Sequence, residues 1–198
     1  MYRKDNKNEF FTIKARKEGY PARSVYKLQE IDRKHRIIQK GDNVLDLGSA
    51  PGSWLLYASK IVGDKGAVVG IDIEKIKTTL PGNVVLIQKD IMELVPKDLA
   101  VFNRKFQAVI SDLAPKTSGM KFVDEGRSLE LGFKALLIAK NVLSAGGNFV
   151  CKIFEGEGTD QFIAAAKKNF KFVKRFRPKA VKKDSKEFYL VAKGFNPE

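Results

Sequence analysis

Short apolar runs alternate along most of the chain with longer stretches whose apolar residues recur three and four positions apart. NVLDL (43–47), AVVGID (67–72), NVVLIQ (83–88), QAVISD (107–112) and GGNFVCKIF (146–154) have the length and β-branched content of buried strands. Between them, PARSVYKLQEIDRKH (21–35), LLYASKIV (55–62), RSLELGFKALLIAKNVL (127–143) and GTDQFIAAAKKN (158–169) read as helices. The first of these has Pro21 in its opening turn and Val25, Leu28 and Ile31/Asp32 at helical spacing. A further helix is predicted over 93–103. FKFVKRF (170–176) and EFYLVAKGF (187–195) close the chain as strands with no clear helix between them, which predicts an antiparallel hairpin at one edge. Strands alternating with helices predict an α/β fold with a doubly wound, mostly parallel sheet and helices on both faces.

In such sheets ligands bind at the carboxyl ends of the strands, near the point where strand order reverses. Asp46 and the turn Gly48-Ser-Ala-Pro-Gly52-Ser-Trp54 end the first run. Asp72, Asp90 and Asp112 end the next three, and Lys152 lies near the end of the fifth. Gly48 and Gly52 let backbone approach a ligand closely and take positive φ. The turn is not GxGxxG, and no Gly-Lys-Ser/Thr follows it, so a nucleotide without phosphates fits better than NAD or ATP. Asp72, about twenty residues beyond the turn, is placed for ribose hydroxyls. Asp90 is placed to accept from an adenine amine. Any one of these residues taken alone is equally a turn glycine or a helix cap. Taken in this order they favour S-adenosyl-L-methionine, whose sulfonium suits nearby carboxylates. Trp54 is either a core residue or a wall of that pocket.

Charge adds a partner. The chain of 198 residues carries a formal net charge of +14 and is 43% hydrophobic, enough for a core. Residues 1–40 have 12 Lys/Arg and 5 Asp/Glu, residues 41–166 have 14 and 15, and residues 167–186 have 10 and 1. A near-neutral body between two basic runs points to a polyanion, provided the fold brings both runs to one face. The simpler alternative is solvated helix faces. No apolar run approaches the ~18 residues that span a bilayer, and MYRKDNKNEF lacks a secretory h-region. One Cys and one His exclude a disulfide framework and give no zinc cluster, so no metal is expected. A soluble, cytoplasmic protein is expected, with residues 1–198 as one domain: a basic RNA-binding helix region (1–40) and a cofactor-binding core (41–198).

VYKLQEID, VLDLGSAPGSW, VVGIDI, VISDLAPKTSG, FVCKIFEGEG and SKEFYLVAKGF resemble the FtsJ-type RNA ribose 2′-O-methyltransferases. The match runs from about residue 17 to 195, and within the family is greatest for enzymes acting on a uridine of large-subunit ribosomal RNA. The resemblance implies a Rossmann-like sheet of seven strands with an antiparallel C-terminal hairpin. It implies S-adenosylmethionine contacts at Gly48, Gly52, Trp54, Asp72, Asp90 and Asp112, and a catalytic set of Lys27, Asp112, Lys152 and Glu187. It also implies large-subunit rRNA as partner, with no DNA or membrane contact and a monomer expected. Ser53 stands where the family usually has a second glycine, and Lys89 where glycine commonly precedes the aspartate. Ser53 is tolerated if that position is helical. Without an appended RNA-binding domain, the larger nucleolar relatives are disfavoured.

Methyl transfer to a 2′-hydroxyl is an in-line displacement in which the hydroxyl must lose its proton. A lysine whose pKa is lowered by burial or by neighbouring cations can take it. Lys152 lies in an apolar run where an unpaired charge is costly, which favours a working role. Asp112 is expected to orient Lys152, Lys27 to hold the target nucleotide or its phosphate, and Glu187 to support Lys27 or the ribose. Cys151 is expected on the opposite face of the strand as a small core residue. His35 is expected as a surface or RNA contact, and the phenylalanines of FKFVKRF as core on one face, with base stacking the other reading. A tRNA anticodon-loop 2′-O-methyltransferase shares the same motifs. A non-catalytic ribosome-assembly module is the reading from a different class.

Overall fold

The computed structural model describes residues 5–100, 102, 104–182 and 185–197. Arg3 and Lys4 of the first basic run, and Lys183 and Asp184 of the second, lie outside the described residues, as do Val101 and Asn103 of the helix predicted over 93–103. The elements are α1 (Asp5–Lys17), α2 (Val25–His35), β1 (Asn43–Leu47), α3 (Ser53–Val62), β2 (Ala67–Asp72) and β3 (Val84–Gln88). There follow α4 (Pro96–Ala100), β4 (Phe106–Ser111), α5 (Lys121–Val142), β5 (Leu143–Phe154), α6 (Thr159–Asn169), β6 (Phe170–Phe176) and β7 (Glu187–Phe195).

The strands form one sheet in the order β3-β2-β1-β4-β5-β7-β6. β1 to β5 pair in parallel, and β7 is antiparallel to both β5 and β6. The closing hairpin therefore inserts its second strand inward and leaves β6 at the edge. The order reverses between β1 and β4, so the carboxyl ends of these two strands flank the switch point.

Side-chain alternation along the strands divides the core in two. Leu45, Leu47, Val109, Phe149, Cys151 and Ile153 face α5 and α6. Val44, Ile110, Val150, Tyr189 and Val191 face α2 and α3, against Leu28, Ile31, Trp54, Leu55 and Ala58. Cys151 thus lies on the face opposite Lys152, as alternation predicts.

Several boundaries differ from the sequence reading: α5 begins six residues before the predicted start, at Lys121, and β5 begins at Leu143 instead of Gly146. Residues 21–24 are not the first turn of α2: the Ser53 hydroxyl accepts from the Ala22 amide (2.7 Å) and donates to the Ala22 carbonyl (3.0 Å), tying that segment to α3. Among the described residues of the 93–103 stretch the α-helix covers Pro96–Ala100, preceded by a single 3₁₀ turn at Ile91–Glu93. α1 is an additional helix, from which Ala15 packs with Tyr20, Val25, Tyr26 and Leu56. Ser53 opens α3 as its first helical residue, so the departure from glycine there carries no positive φ.

Candidate active site

At the carboxyl end of the sheet, on the α2/α3 face, Lys27, Asp112, Lys152, Glu187 and Tyr189 converge. Lys152 is 7% exposed. Its Nζ donates to the Asp112 carbonyl at 2.5 Å and lies 3.2 Å from Asp112 Oδ1. Asp112 Oδ1 also accepts from the Tyr189 hydroxyl at 2.6 Å. Tyr189 and Lys152 are register partners across the antiparallel β5–β7 pair, which is why one carboxylate reaches both. Burial, then the Asp112 and Glu187 carboxylates, hold the Tyr189 phenol well above its usual range, so it remains a donor. Lys27, on α2, forms a hydrogen-bonded ion pair with Glu187 at the start of β7. Its Nζ sits 5.9 Å from the Tyr189 ring centroid. Two lysine–carboxylate pairs thus bracket one tyrosine. Cys151 shares none of this: burial pushes its thiol up to about 12, which leaves no nucleophilic thiolate at neutral pH.

The glycine turn lies beside this cluster. Gly48 has φ 78° and Gly52 φ 108°, both in the region that favours glycine. A Cβ on Gly48 would stand 2.6 Å from the Leu113 side chain, so the turn packs against the residue next to Asp112. Asp72 accepts from the Ala50 amide through one oxygen and from Glu74 through the other, both at 2.8 Å, anchoring the turn to the end of β2. Asp90 is exposed and caps the 3₁₀ turn by accepting from the Met92 amide at 2.9 Å. Trp54 is 3% exposed, donates to the Ser24 carbonyl at 2.9 Å and lies 5.7 Å from Tyr189 between ring centroids. It is a core residue bonded to the segment before α2, and it packs on the tyrosine that holds Asp112.

Asp46 is the feature whose weight the sequence did not convey. It is fully buried at the end of β1, and neither carboxylate oxygen has a partner; Ser49 Oγ and Ser111 Oγ are also buried and unpartnered. Burial, then the Asp112 and Asp72 charges, hold the Asp46 carboxyl well above the usual carboxylate range. A buried acceptor without a donor costs on the order of 1–3 kcal/mol. Such an arrangement fits a cationic, donor-rich ligand, whose charge would stabilise the Asp46, Asp72 and Asp112 carboxylates together. Among the described residues no cluster of His, Cys, Asp or Glu is arranged to hold a metal ion.

Residues 20–195 match the family described as FtsJ-like methyltransferase. The chain belongs to that family. Its relatives include proteins named ribosomal RNA large subunit methyltransferase E. The one from Desulfatibacillum aliphaticivorans is 48% identical over 183 residues, covering 92% of this chain and 88% of the relative. The one from Desulforapulum autotrophicum is 45% identical over 194 residues, 96% of each. Among solved structures, a Plasmodium falciparum protein described as a ribosomal RNA methyltransferase superposes with a TM-score of 0.80 at 28% identity, over 90% of this chain and all of that one. The fibrillarin/Nop5p complex, at a TM-score of 0.59 and 19% identity, shares the fold.

In this FtsJ-like methyltransferase Lys27, Asp112, Lys152 and Glu187 converge around Tyr189, and Trp54 packs on that tyrosine. Gly48 stands against Leu113, Asp72 anchors the glycine turn, and Asp90 caps the 3₁₀ turn beyond β3. Tyr189 was missed, because EFYLV reads as an apolar strand and its hydroxyl matters only through pairing with β5. No helix among the described residues is long and apolar enough to cross a membrane.

Proposed function

We propose that this FtsJ-like methyltransferase methylates the 2′-oxygen of a uridine ribose in large-subunit ribosomal RNA, using S-adenosylmethionine. The observation that carries the reading is the pair of lysine–carboxylate contacts, Lys152–Asp112 and Lys27–Glu187, brought together beside a glycine turn with unpartnered buried carboxylate oxygens. The names borne by the relatives supply the substrate class. Bound at the turn, S-adenosylmethionine supplies an electrophilic methyl group on a positively charged sulfur.

The remaining steps belong to the chain. Gly48 and Gly52 admit the cofactor close to backbone, and Asp72 and Asp90 accept from its hydroxyls and amine. Asp112 holds Lys152 in place and is itself held by Tyr189. Lys152, acting as the neutral amine after giving up a proton to solvent, accepts the proton of the 2′-hydroxyl as attack proceeds. Lys27, steadied by Glu187, grips the target nucleotide. Residues 1–40 work with the core as one methyltransferase domain, acting as a monomer in the cytoplasm. Proton transfer of this kind contributes roughly 10²–10⁴ to such reactions.

The test is incorporation of labelled methyl from S-adenosylmethionine into large-subunit rRNA, followed by mapping of the modified nucleotide by its resistance to alkaline cleavage. Label on a uridine 2′-oxygen of that RNA is expected. Label confined to tRNA would replace the substrate, and label on a base would overturn the chemistry.

A further inference from the structure

The opposite end of the same sheet holds a second arrangement of cations. The carboxyl end of α2, the start of β6 and the far end of β7 enclose an open cleft of about 590 Å³. Lys34, Arg36, Lys171 and Lys193 line it, and none of its lining residues is acidic. No ion pair among the described residues involves any of the four. Lys193 Nζ donates to the His35 carbonyl at 2.6 Å, and Lys34 Nζ stands 4.8 Å from the Phe176 ring centroid. These contacts orient both ammonium groups without neutralising them. By contrast Arg175, four residues farther along β6, is paired with Glu155 and Asp160.

The two basic runs of the sequence meet here: Lys34 and Arg36 come from the first, Lys171 from the second. His35 records the resulting field, since burial and then the charges of Lys34, Lys174 and Lys193 all oppose its protonation. Phe172, read from the sequence as core, is instead 43% exposed on the cleft wall, its ring 6.2 Å from that of His35 between centroids. Like-charged side chains gathered without counter-charges repel one another, and a run of phosphates relieves that repulsion. An exposed ring beside the cations suits a strand whose bases stack.

We propose that this cleft is a second RNA-backbone site, remote from methyl transfer, that holds the strand flanking the target nucleotide. It rests on the reading of the substrate as RNA and adds to it a place and a role. His35 lies eight residues along α2 from Lys27, or about 12 Å at helical rise. Lys193 lies six residues along β7 from Glu187, or about 20 Å. The cleft therefore acts on binding and leaves the reacting atoms alone.

The test is a triple variant, Lys34→Gln, Arg36→Gln and Lys171→Gln, compared with a control triple at exposed lysines elsewhere, Lys65→Gln, Lys97→Gln and Lys140→Gln. Affinity for a fluorescently labelled transcript of large-subunit rRNA is measured across a salt series, together with S-adenosylmethionine affinity, KM for RNA and kcat. For the cleft variant the RNA Kd should rise on the order of 10- to 100-fold at moderate salt, and the slope of log K against log salt should fall by about 2. KM for RNA should rise with it, while kcat and cofactor affinity stay unchanged. Equal effects in the two triples would reduce the cleft to generic surface charge and overturn the proposal. A fall in kcat at unchanged KM would overturn it too. If the triple variant does not fold, Lys171→Gln alone, at an exposed edge-strand position, should lower the slope by about 0.7–0.9, and no change there counts against the site. The enzymatic reading is judged separately, by whether the unaltered protein incorporates methyl into RNA at all.

Discussion

The two ends of the sheet use the same residue type in opposite ways. At the carboxyl end, Lys27 and Lys152 are nearly buried and each is held by a carboxylate. At the other end, Lys34, Arg36 and Lys171 face an open cleft, with no ion partner among the described residues. A paired, buried lysine has lost its freedom and gained a fixed position, which is what a reacting group needs. An unpaired, exposed lysine keeps its attraction for anions, which is what a docking surface needs. Burial and pairing, rather than composition, separate chemistry from binding along one sheet.

The largest effect is expected from breaking the paired end at its centre. Lys152→Ala should lower kcat by about 10²–10⁴ with S-adenosylmethionine affinity within a few-fold of the original, measured by single-turnover methylation and calorimetry. Full activity would remove Lys152 from proton transfer and dissolve the contrast between the ends. Next come Lys27→Ala and Glu187→Gln, each expected to cost about 10- to 100-fold in kcat/KM. Because the two side chains act as one pair, the double variant should be scarcely worse than either single one. Simple multiplication of the two losses would show that they act apart.

Tyr189→Phe removes one donor from Asp112 and keeps the ring against Trp54. A loss of about 3- to 10-fold in kcat is expected, the size of one hydrogen bond, with KM for RNA unmoved. A change in KM instead would assign the hydroxyl to substrate.

The smallest effect concerns stability. Asp46 ionises less readily in the folded chain than in the unfolded one. Its charge therefore destabilises the fold above the unfolded carboxylate range, and the penalty fades as pH falls toward that range. Asp46→Asn should raise the Tm of the ligand-free protein at neutral pH by roughly 2–4 °C, the shift about 1 kcal/mol produces at this size. The gain should shrink at acid pH, and cofactor affinity should fall. A lower Tm at neutral pH would mean that the carboxyl is satisfied in solution.

Most strands were legible because parallel strands buried on both faces are continuous apolar runs, as in NVLDL and AVVGID. Helix ends were less so. Pro21 marks a helix start by local rules, yet Ser53, 31 residues away from Ala22, decides that residues 21–24 stay outside α2. The 93–103 stretch was predicted as one helix, but among its described residues the α-helix starts at Pro96, after a separate 3₁₀ turn. The candidate site was legible in parts. Lys152 stood out as a charge in an apolar run. Lys27 and Glu187, 160 residues apart, came only through family resemblance, since no local rule pairs them. Tyr189 and Asp46 were opaque for the same reason: a phenol and a carboxyl within strands gain their meaning from what the neighbouring strands leave bonded or bare.

α2 carries Lys27 in its first turn and ends on His35 at the other end of the sheet. It is thus a rigid measuring rod: the offset between the reacting ribose and the gripped backbone is counted in whole residues of one helix. Adding a single residue midway along it would turn one end about 100° against the other. Both ends of the rod could then still bind, but no longer to the same strand in the same register.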